Sequence, residues 1–407
     1  MNDKRERIYP ATMPSREVHA DGSPPLDGIT VIDLGRVLSA PFAASVLASL
    51  GARVIKVERV GTGDDSRAFG PHLAGKSLYF ASVNCDKESI ALDLKNESDR
   101  AIFETLLDRA DVLVENFSPR VMENLGYGWE TLHERWPRLI YGAISGFGRS
   151  GPLSPRPSYD IIAQALSGMM SLTGHPNGPP VRVGVSVGDL VAGLYMALGV
   201  VSAIHKRTST NQGCLIDIAM LDCQIAFLEA AVTTCTGTGV VPSSRGTRHP
   251  SIAPFQAFQC ADRWIVIAAG NDALFASMCS AIGRPDLATL PQFATNAARL
   301  DKIDELDATI SQILRSDRAE VWLRQLEAAG VPSAAIQSVA EMIAMPQVDA
   351  RKMIIPTDDP SLNSTRVPGN PVKMSSVAQR ESRRSAPDLD QHRTAILQEL
   401  GNRKSET

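Results

Sequence analysis

Near the middle of the chain, Gly188-Asp189 precedes Leu190, Val191, Leu194 and Leu198, so an aspartate stands at the head of an apolar helical face. A carboxylate in that place has two uses. It can cap the helix, accepting backbone N–H groups that lack a partner. It can also act as a nucleophile, because a reference pKa of about 3.9 leaves it ionised at neutral pH without a general base. On residue type alone, capping is the commoner use. In either case the positive end of the helix dipole favours the charged form, and the preceding glycine leaves room for a bulky group to approach.

The other reactive side chains offer less. The six cysteines are Cys85, Cys214, Cys223, Cys235, Cys260 and Cys279. They form no C-x-x-C pair and no metal-like spacing with histidine, which fits reduced thiols in a cytoplasmic protein and no metal site. The loop Gly35-Arg36-Val37-Leu38-Ser39 lacks the G-x-G-x-x-G of dinucleotide binders. Gly61-Thr62-Gly63-Asp64-Asp65 is glycine-rich, but its adjacent carboxylates would repel phosphate, and it reads as a surface turn. Lone cations such as Arg59 and Lys95 read, by themselves, as solvated surface charges.

The elements that would carry these residues follow from periodicity. Ile29–Leu34 reads as a buried strand, Phe42, Val46, Leu47 and Leu50 as a helix face stopped by Gly51, and Arg53–Val57 as the next strand. A strand, a helix and a strand in about 30 residues make a βαβ unit and imply a parallel sheet. Asn96 and Asp99 open a helix carrying Ile102, Phe103, Leu106 and Leu107. Val112–Val114 and Leu139–Ile144 follow as strands, so this half reads as a doubly wound α/β domain. A long helix is expected from Leu190 to about Thr208, and a second from Leu215–Ile218 through Ala231. Thr236–Ser251 reads as an exposed loop, Trp264–Ala268 as a strand before an α-rich segment to Gly330, and Gln391–Leu400 as a last helix.

Bulk properties narrow the field further. At 407 residues two domains are expected. A net charge of -4 and no basic stripe argue against nucleic acid as a partner. The longest apolar stretch, Leu190–Ile204, falls short of the roughly 20 residues a bilayer needs, and residues 1–25 have no apolar core, so a membrane partner and a signal peptide are not expected.

Read in order, several segments resemble the family III CoA-transferases, the group that includes formyl-CoA transferase and carnitine CoA-transferase. They are Leu26-Asp27-Gly28-Ile29 with the V-I-D-L strand, then Gly51–Arg59 (GARVIKVER), Ser89–Lys95 (SIALDLK), Val114-Glu115-Asn116-Phe117 and the Gly188-Asp189 pair. Each alone is weak; six in sequence at family-like spacing are strong. The resemblance implies a Rossmann-like large domain built from both chain ends plus a smaller α+β domain, in an open-ring subunit of an interlocked homodimer. On this chain that division reads as a disordered tail over 1–25, a large CoA-binding domain over 26–208 and 371–401, a linker over 209–235, a small domain over 236–330 and a return linker over 331–370.

It also implies a chemistry, the transfer of CoA from an acyl-CoA such as succinyl-CoA to a small carboxylic acid. Asp189 is then the nucleophile. It attacks the donor thioester to give an aspartyl anhydride and CoA thiolate; the thiolate returns to give an aspartyl-CoA thioester, which the acceptor carboxylate attacks. Coenzyme A is a co-substrate and no cofactor is held permanently. The implied CoA-binding positions are Val37 and Leu38 near the pantetheine thiol, Arg59 at the nucleotide end, Leu92, Asp93, Leu94 and Lys95, Asn116, Phe117 and Ser118, with Tyr159. Formyl-CoA transferase has glutamine where Leu38 stands, a departure from an oxalate/formyl pocket, and some relatives have a basic residue where this chain has Asn124.

Two further departures bear on the reaction. The racemases of this group place a proton-carrying histidine where Tyr159 stands beside Asp160, and tyrosine, with a pKa near 10, is a poor base at neutral pH. This favours transfer over an acyl-CoA racemase or isomerase; an inactive CoA-binding protein remains a further alternative. The glycine run of formyl-CoA transferase is replaced here by Arg245-Gly246-Thr247-Arg248-His249-Pro250. That version resembles relatives acting on dicarboxylates, and Arg248 and His249 become candidate contacts for a remote carboxylate, with an exposed turn as the competing role.

Overall fold

The structure is a computed structural model that describes residues 22–362 and 365–402. The expected tail over 1–25 therefore lies, up to residue 21, outside the described residues. Two compact units emerge. The first holds the described residues up to 149 with 192–218 and those from 350 onward; the second holds 150–191 and 219–349.

In the first unit a six-stranded sheet is built from β1 (Thr30–Asp33), β2 (Arg53–Glu58), β3 (Lys87–Ala91), β4 (Val112–Glu115), β5 (Ile140–Ser145) and β6 (Leu215–Ala219). Their order is β3-β2-β1-β4-β5-β6, and the four pairings from β3 to β5 are parallel. β1, β4 and β5 are mostly apolar runs because a parallel sheet is covered on both faces, while β2 and β3 carry the buried polar residues Lys56, Glu58, Lys87 and Ser89. Ile32, Ile55, Ile90, Leu113 and Tyr141 pack with Phe103, Leu106 and Leu107 of the Glu97–Leu107 helix and with Ile396 and Leu400 of the Arg393–Asn402 helix. Each such fully buried side chain contributes about 1.5–3 kcal/mol. The order in which successive strands are added reverses between the parallel neighbours β1 and β4, so the loops leaving their carboxyl ends diverge and open a crevice.

The second unit contains an antiparallel sheet of Phe255–Gln259, Trp264–Ala268 and Ser333–Ala335. Its core joins Phe258, Ile265 and Ile267 to Phe275, Leu306, Ile310, Leu314, Trp322 and Leu326 of the surrounding helices. This is α+β packing, helices gathered on one antiparallel sheet.

Several elements depart from the sequence-based reading. The apolar stretch 190–204 is part of a 24-residue helix, Val187–Thr210, which by length and composition alone would reach across a bilayer. Met196, Ala197, Val200 and Ala203 are buried along it, the pattern of a core helix. The stretch 209–235, expected as a linker, carries β6, the helix Met220–Ala226 and the start of another at Ala231–Thr238. The second helix expected through Ala231 thus breaks at Phe227, and the turn that follows holds Glu229 at φ +49°. Residues 150–191 group with the second unit instead of the first, and 331–370 contains two short helices and three short strands in place of a plain linker.

One buried acid sits where two strands end. Glu115, the last residue of β4, is 4% exposed. It accepts the Phe117 N–H at 2.6 Å and the hydroxyl of Tyr141, on β5, at 2.9 Å. Burial pushes its carboxyl up to about 7, against the pull of those two donors. The folded protein therefore holds this proton more tightly than the unfolded chain. The resulting stabilisation is complete below pH 4.5 and is lost as pH rises through about 7. It amounts to about 3 kcal/mol. Urea unfolding at pH 5 and pH 8 should show the wild type losing that stability while Glu115→Gln loses markedly less; equal losses in the two proteins would refute the assignment.

Candidate active site

The loop leaving β1 is held by charges buried beneath it. Gly35 donates its N–H to Asp33 Oδ1 at 2.7 Å, and Lys56 Nζ donates to the Gly35 carbonyl at 2.6 Å. Lys56 also pairs with Asp64 at 2.9 Å. Lys87 Nζ reaches Asp33 Oδ2, the Pro41 carbonyl and Asn84 Oδ1, each at 2.8 Å. All four charged side chains are buried. Burial alone would favour their neutral forms, yet the Asp33, Asp64 and Glu58 charges hold Lys56 above its ordinary value. Lys56 and the N–H groups of Ser66 and Val37 likewise outweigh burial and hold Asp64 below the carboxylate range. For Lys87, burial wins and pushes the amine down to about 8.

This cluster sets the loop's path. Val37 sits at φ +63°, a conformation strained for a β-branched residue, and Asp64 Oδ1 accepts its N–H at 3.0 Å. Asn116 clasps the same loop from the other side, accepting the Arg36 N–H at 2.8 Å and donating to the Arg36 carbonyl at 2.9 Å. Gly35 has no room for a side chain: a Cβ there would come within 2.7 Å of Ala40, Asp33 and Pro41. Within the segment 61–65, Gly61 and Thr62 are exposed as a surface turn would be, but Gly63 and Asp64 are buried. Asp64 is 2% exposed and is the tie between β2 and the β1 loop.

These loops enclose an open cleft of about 590 Å³ at the carboxyl ends of β1 to β4. Of the positions named from sequence, Arg59, Leu92, Asp93, Leu94, Lys95, Phe117 and Ser118 line it. Arg36, not anticipated, lines it as well. Both arginines pair with Asp65, Arg59 at 3.1 Å and Arg36 at closer range, so that two guanidinium groups share one carboxylate at the mouth of the cleft. Val37, Leu38 and Asn116 are on the same loops without lining it. A mostly apolar cleft rimmed by arginines can accept a long, partly anionic ligand.

In the second unit, Asp189 is half-buried and lies in the first turn of the Val187–Thr210 helix, two residues inside its start and not at the cap position. The residue before it is held from beneath. The Gly188 N–H donates to Asp160 Oδ1 at 2.8 Å, Gln164 Nε2 donates to Asp160 Oδ2 at 2.8 Å, and Gln164 Oε1 accepts the Val183 N–H at 2.9 Å. Asp160 is 6% exposed and Gln164 fully buried. Glycine at 188 has a second reason beyond an approaching ligand. A Cβ would stand 2.4 Å from Gln224 Nε2 and 3.0 Å from Asp160 Oδ1. Tyr159 is 79% exposed at the start of the Asp160–Leu166 helix.

The loop expected to meet a carboxylate is already occupied by acids. Arg248 pairs with Asp304 at 2.8 Å and with the largely buried Asp307. The His249 ring tilts against Phe255 at 5.2 Å and its Nδ1 accepts the Ser251 N–H at 3.1 Å. Those contacts are the ones a structural turn would make. Among the described residues no group of three or more histidine, cysteine or acidic side chains could hold a metal.

Comparison with known proteins bears on the family and the fold. The profile of CoA-transferase family III matches residues 26–393. The acetyl-CoA:oxalate CoA-transferase of Acetobacter aceti is 46% identical over 92% of this chain and 96% of its own length. The human succinyl-CoA:glutarate CoA-transferase is 38% identical over 92% of this chain and 86% of its own. Among solved structures, a CaiB/BaiF family protein from Brucella suis superposes with a TM-score of 0.84 at 35% identity, covering 93% of this chain and 100% of that one. The chain belongs to CoA-transferase family III.

Proposed function

We propose that this enzyme moves CoA from an acyl-CoA, succinyl-CoA among the donors, to a small dicarboxylate, with Asp189 as the covalent carrier. The observation that carries the reading is the position of Asp189: a carboxylate in the first turn of a long helix, behind a glycine fixed by buried polar groups, in a chain of this family. Oxalate and glutarate, the acids in the names of the two relatives, are both dicarboxylic, which supports that class of acceptor here. Two arginines in the cleft of the first unit, Arg36 and Arg59, support CoA phosphate contact by Arg59, with the segments 92–95 and 117–118 lining the same cleft.

In this mechanism Asp189 needs no base. Its oxygen attacks the acyl carbonyl, the C–S bond breaks, and CoA leaves as thiolate while the acyl group stays as an anhydride. The thiolate attacks the aspartyl carbonyl, releasing the donor acid and forming the aspartyl-CoA thioester. The acceptor carboxylate attacks that thioester, freeing CoA as thiolate and leaving the acceptor joined to Asp189 as an anhydride. Attack by CoA on the acceptor carbonyl then releases product and restores the carboxylate. Water must be excluded throughout, since hydrolysis would discard the thioester energy. Six free thiols among the described residues support a reducing, cytoplasmic setting.

The assembly belongs to the same proposal: an interlocked homodimer. Leu194, Leu198 and Val201 form an exposed apolar stripe on the Val187–Thr210 helix, 48%, 61% and 37% exposed, the spacing of one helical face. Sedimentation velocity should return the mass of two chains, and Leu198→Lys should shift it toward one; a wild-type monomer at micromolar concentration would overturn the assembly.

The chemistry is tested by incubating wild type and Asp189→Asn with a panel of acyl-CoA donors and small acids, reading new thioesters and protein adducts by mass spectrometry. Wild type should form succinyl-CoA-dependent products with dicarboxylates and carry an adduct at Asp189. The asparagine variant should lose at least about 10³-fold in rate. In the same assay Arg59→Ala should raise KM for the acyl-CoA about 10-fold with little change in kcat. Full activity in the asparagine variant, with deamidation excluded, would sink the mechanism.

A further inference from the structure

Beneath the turn that carries Asp189 is an amide with nothing to donate to. Gln224, on the Met220–Ala226 helix, is fully buried. Its Oε1 accepts the Ser167 hydroxyl at 3.3 Å, but its Nε2 has no hydrogen-bond partner. That nitrogen presses on Gly188, where even a single Cβ would stand 2.4 Å from it. The obvious acceptor nearby is already engaged: Asp160 takes the Gly188 N–H on one oxygen and Gln164 on the other. An unmet donor in a dry interior costs free energy that a methionine of similar volume would not. In this unit the cost falls against the residue that precedes Asp189.

Resting on the reading of Asp189 as nucleophile, we propose that Gln224 is a positioning residue whose free N–H is taken up by a backbone carbonyl of the 185–189 turn once Asp189 is acylated. The free enzyme carries a carboxylate at the helix start, and the charge–dipole attraction holds the turn down on the helix. In the anhydride and in the thioester that negative charge is gone, and the attraction with it. The turn is then free to settle toward Gln224, whose donor gains its partner only in those states. An interaction made in the intermediates and absent from the free enzyme lowers the barriers between them without tightening substrate binding. It therefore acts on kcat and leaves the KM for acyl-CoA alone.

The test pairs Gln224→Met, which keeps the volume and removes the donor, with Gln224→Glu, which keeps the shape and the acceptor. For each, thermal unfolding, steady-state rates and the fraction of enzyme carrying the Asp189 adduct are measured beside wild type. Gln224→Met should unfold at the same or a higher temperature than wild type. Its kcat should nevertheless fall about 10-fold with KM for acyl-CoA unchanged, and its steady-state adduct should be depleted. Gln224→Glu should fall further in kcat, because a second acid beside Asp160 repels it. A Gln224→Met enzyme with wild-type kcat overturns the proposal, and so does one whose lost activity tracks a lowered unfolding temperature. The wild-type arm separates the two readings. No adduct at Asp189 in wild type removes the nucleophile assignment itself, whereas a wild-type adduct matched by Gln224→Met removes only the role of Gln224.

Discussion

Four buried charges, Asp33, Lys56, Asp64 and Lys87, hold together the part of the first unit that matters for binding. Removing that many ions from water is expensive, and a buried pair repays the cost only with close geometry and further hydrogen bonds. Both conditions are met. Two cations face two anions, and the remaining hydrogen-bonding capacity goes to the Gly35 and Pro41 carbonyls, Asn84 and the N–H groups of Gly35, Val37 and Ser66. A hydrophobic replacement would pack the same volume, but it could not hold Val37 in a left-handed turn or tie the end of β1 to the loop after β2. The cluster converts the parallel order of β1, β2 and β3 into a fixed shape for the loops above them.

The second unit solves a similar problem with neutral groups. Asp160 is its one buried charge, with the more exposed Arg182 guanidinium 4.0 Å from it, and two amides, Gln164 and Gln224, complete the set under Gly188. Where the first unit leaves every member of its cluster paired, this one leaves a donor open. The difference suits the two tasks. Under the proposed function, a surface that receives an intact coenzyme would gain from rigidity alone, whereas a turn whose aspartate alternates between carboxylate, anhydride and thioester would have to serve several states.

How much of this was legible in the sequence depended on the range of the interaction. Strands β1, β2, β4 and β5 and the helices Ser39–Ser49 and Glu97–Leu107 were readable to within a few residues, because apolar periodicity reports which face is buried, while the short helices Leu78–Asn84 and Trp129–Arg135 were not read. The reading of 61–65 as a surface turn holds for Gly61 and Thr62 but missed the burial of Asp64, because nothing local tells that Asp64 is buried. Its partner Lys56 lies on the strand before it, and the pairing of Asp33 with Lys87 spans 54 positions. The break after Ala226 was missed since 227–231 keeps helix-favouring composition while Glu229 turns left-handed. Gly188 was singled out from sequence as room for an approaching group, whereas the structure adds that a side chain there would meet Gln224, which looked like any polar residue on a helix. Only the packing of that helix against the Gly188 turn gives the amide meaning. Arg248 looked available for a carboxylate because Asp304 and Asp307 are more than 50 positions away.

The occupied state of Arg248 also bears on how a dicarboxylate would be held. An arginine shared by two aspartates presents little net charge, and an incoming acid must compete with carboxylates already in place. The cleft after β1 and β2 is lined by three cations, Arg36, Arg59 and Lys95, and by three acids, Glu58, Asp64 and Asp93, so it carries no net surplus either. What differs is that the guanidinium groups of Arg36 and Arg59 meet at one partly exposed carboxylate, Asp65. Selection among small acids then falls to shape and to hydrogen bonds, which discriminate chain length by only about 1–3 kcal/mol per methylene. A family that names oxalate, with two carbons, and glutarate, with five, among its acceptors is the outcome such weak discrimination would give.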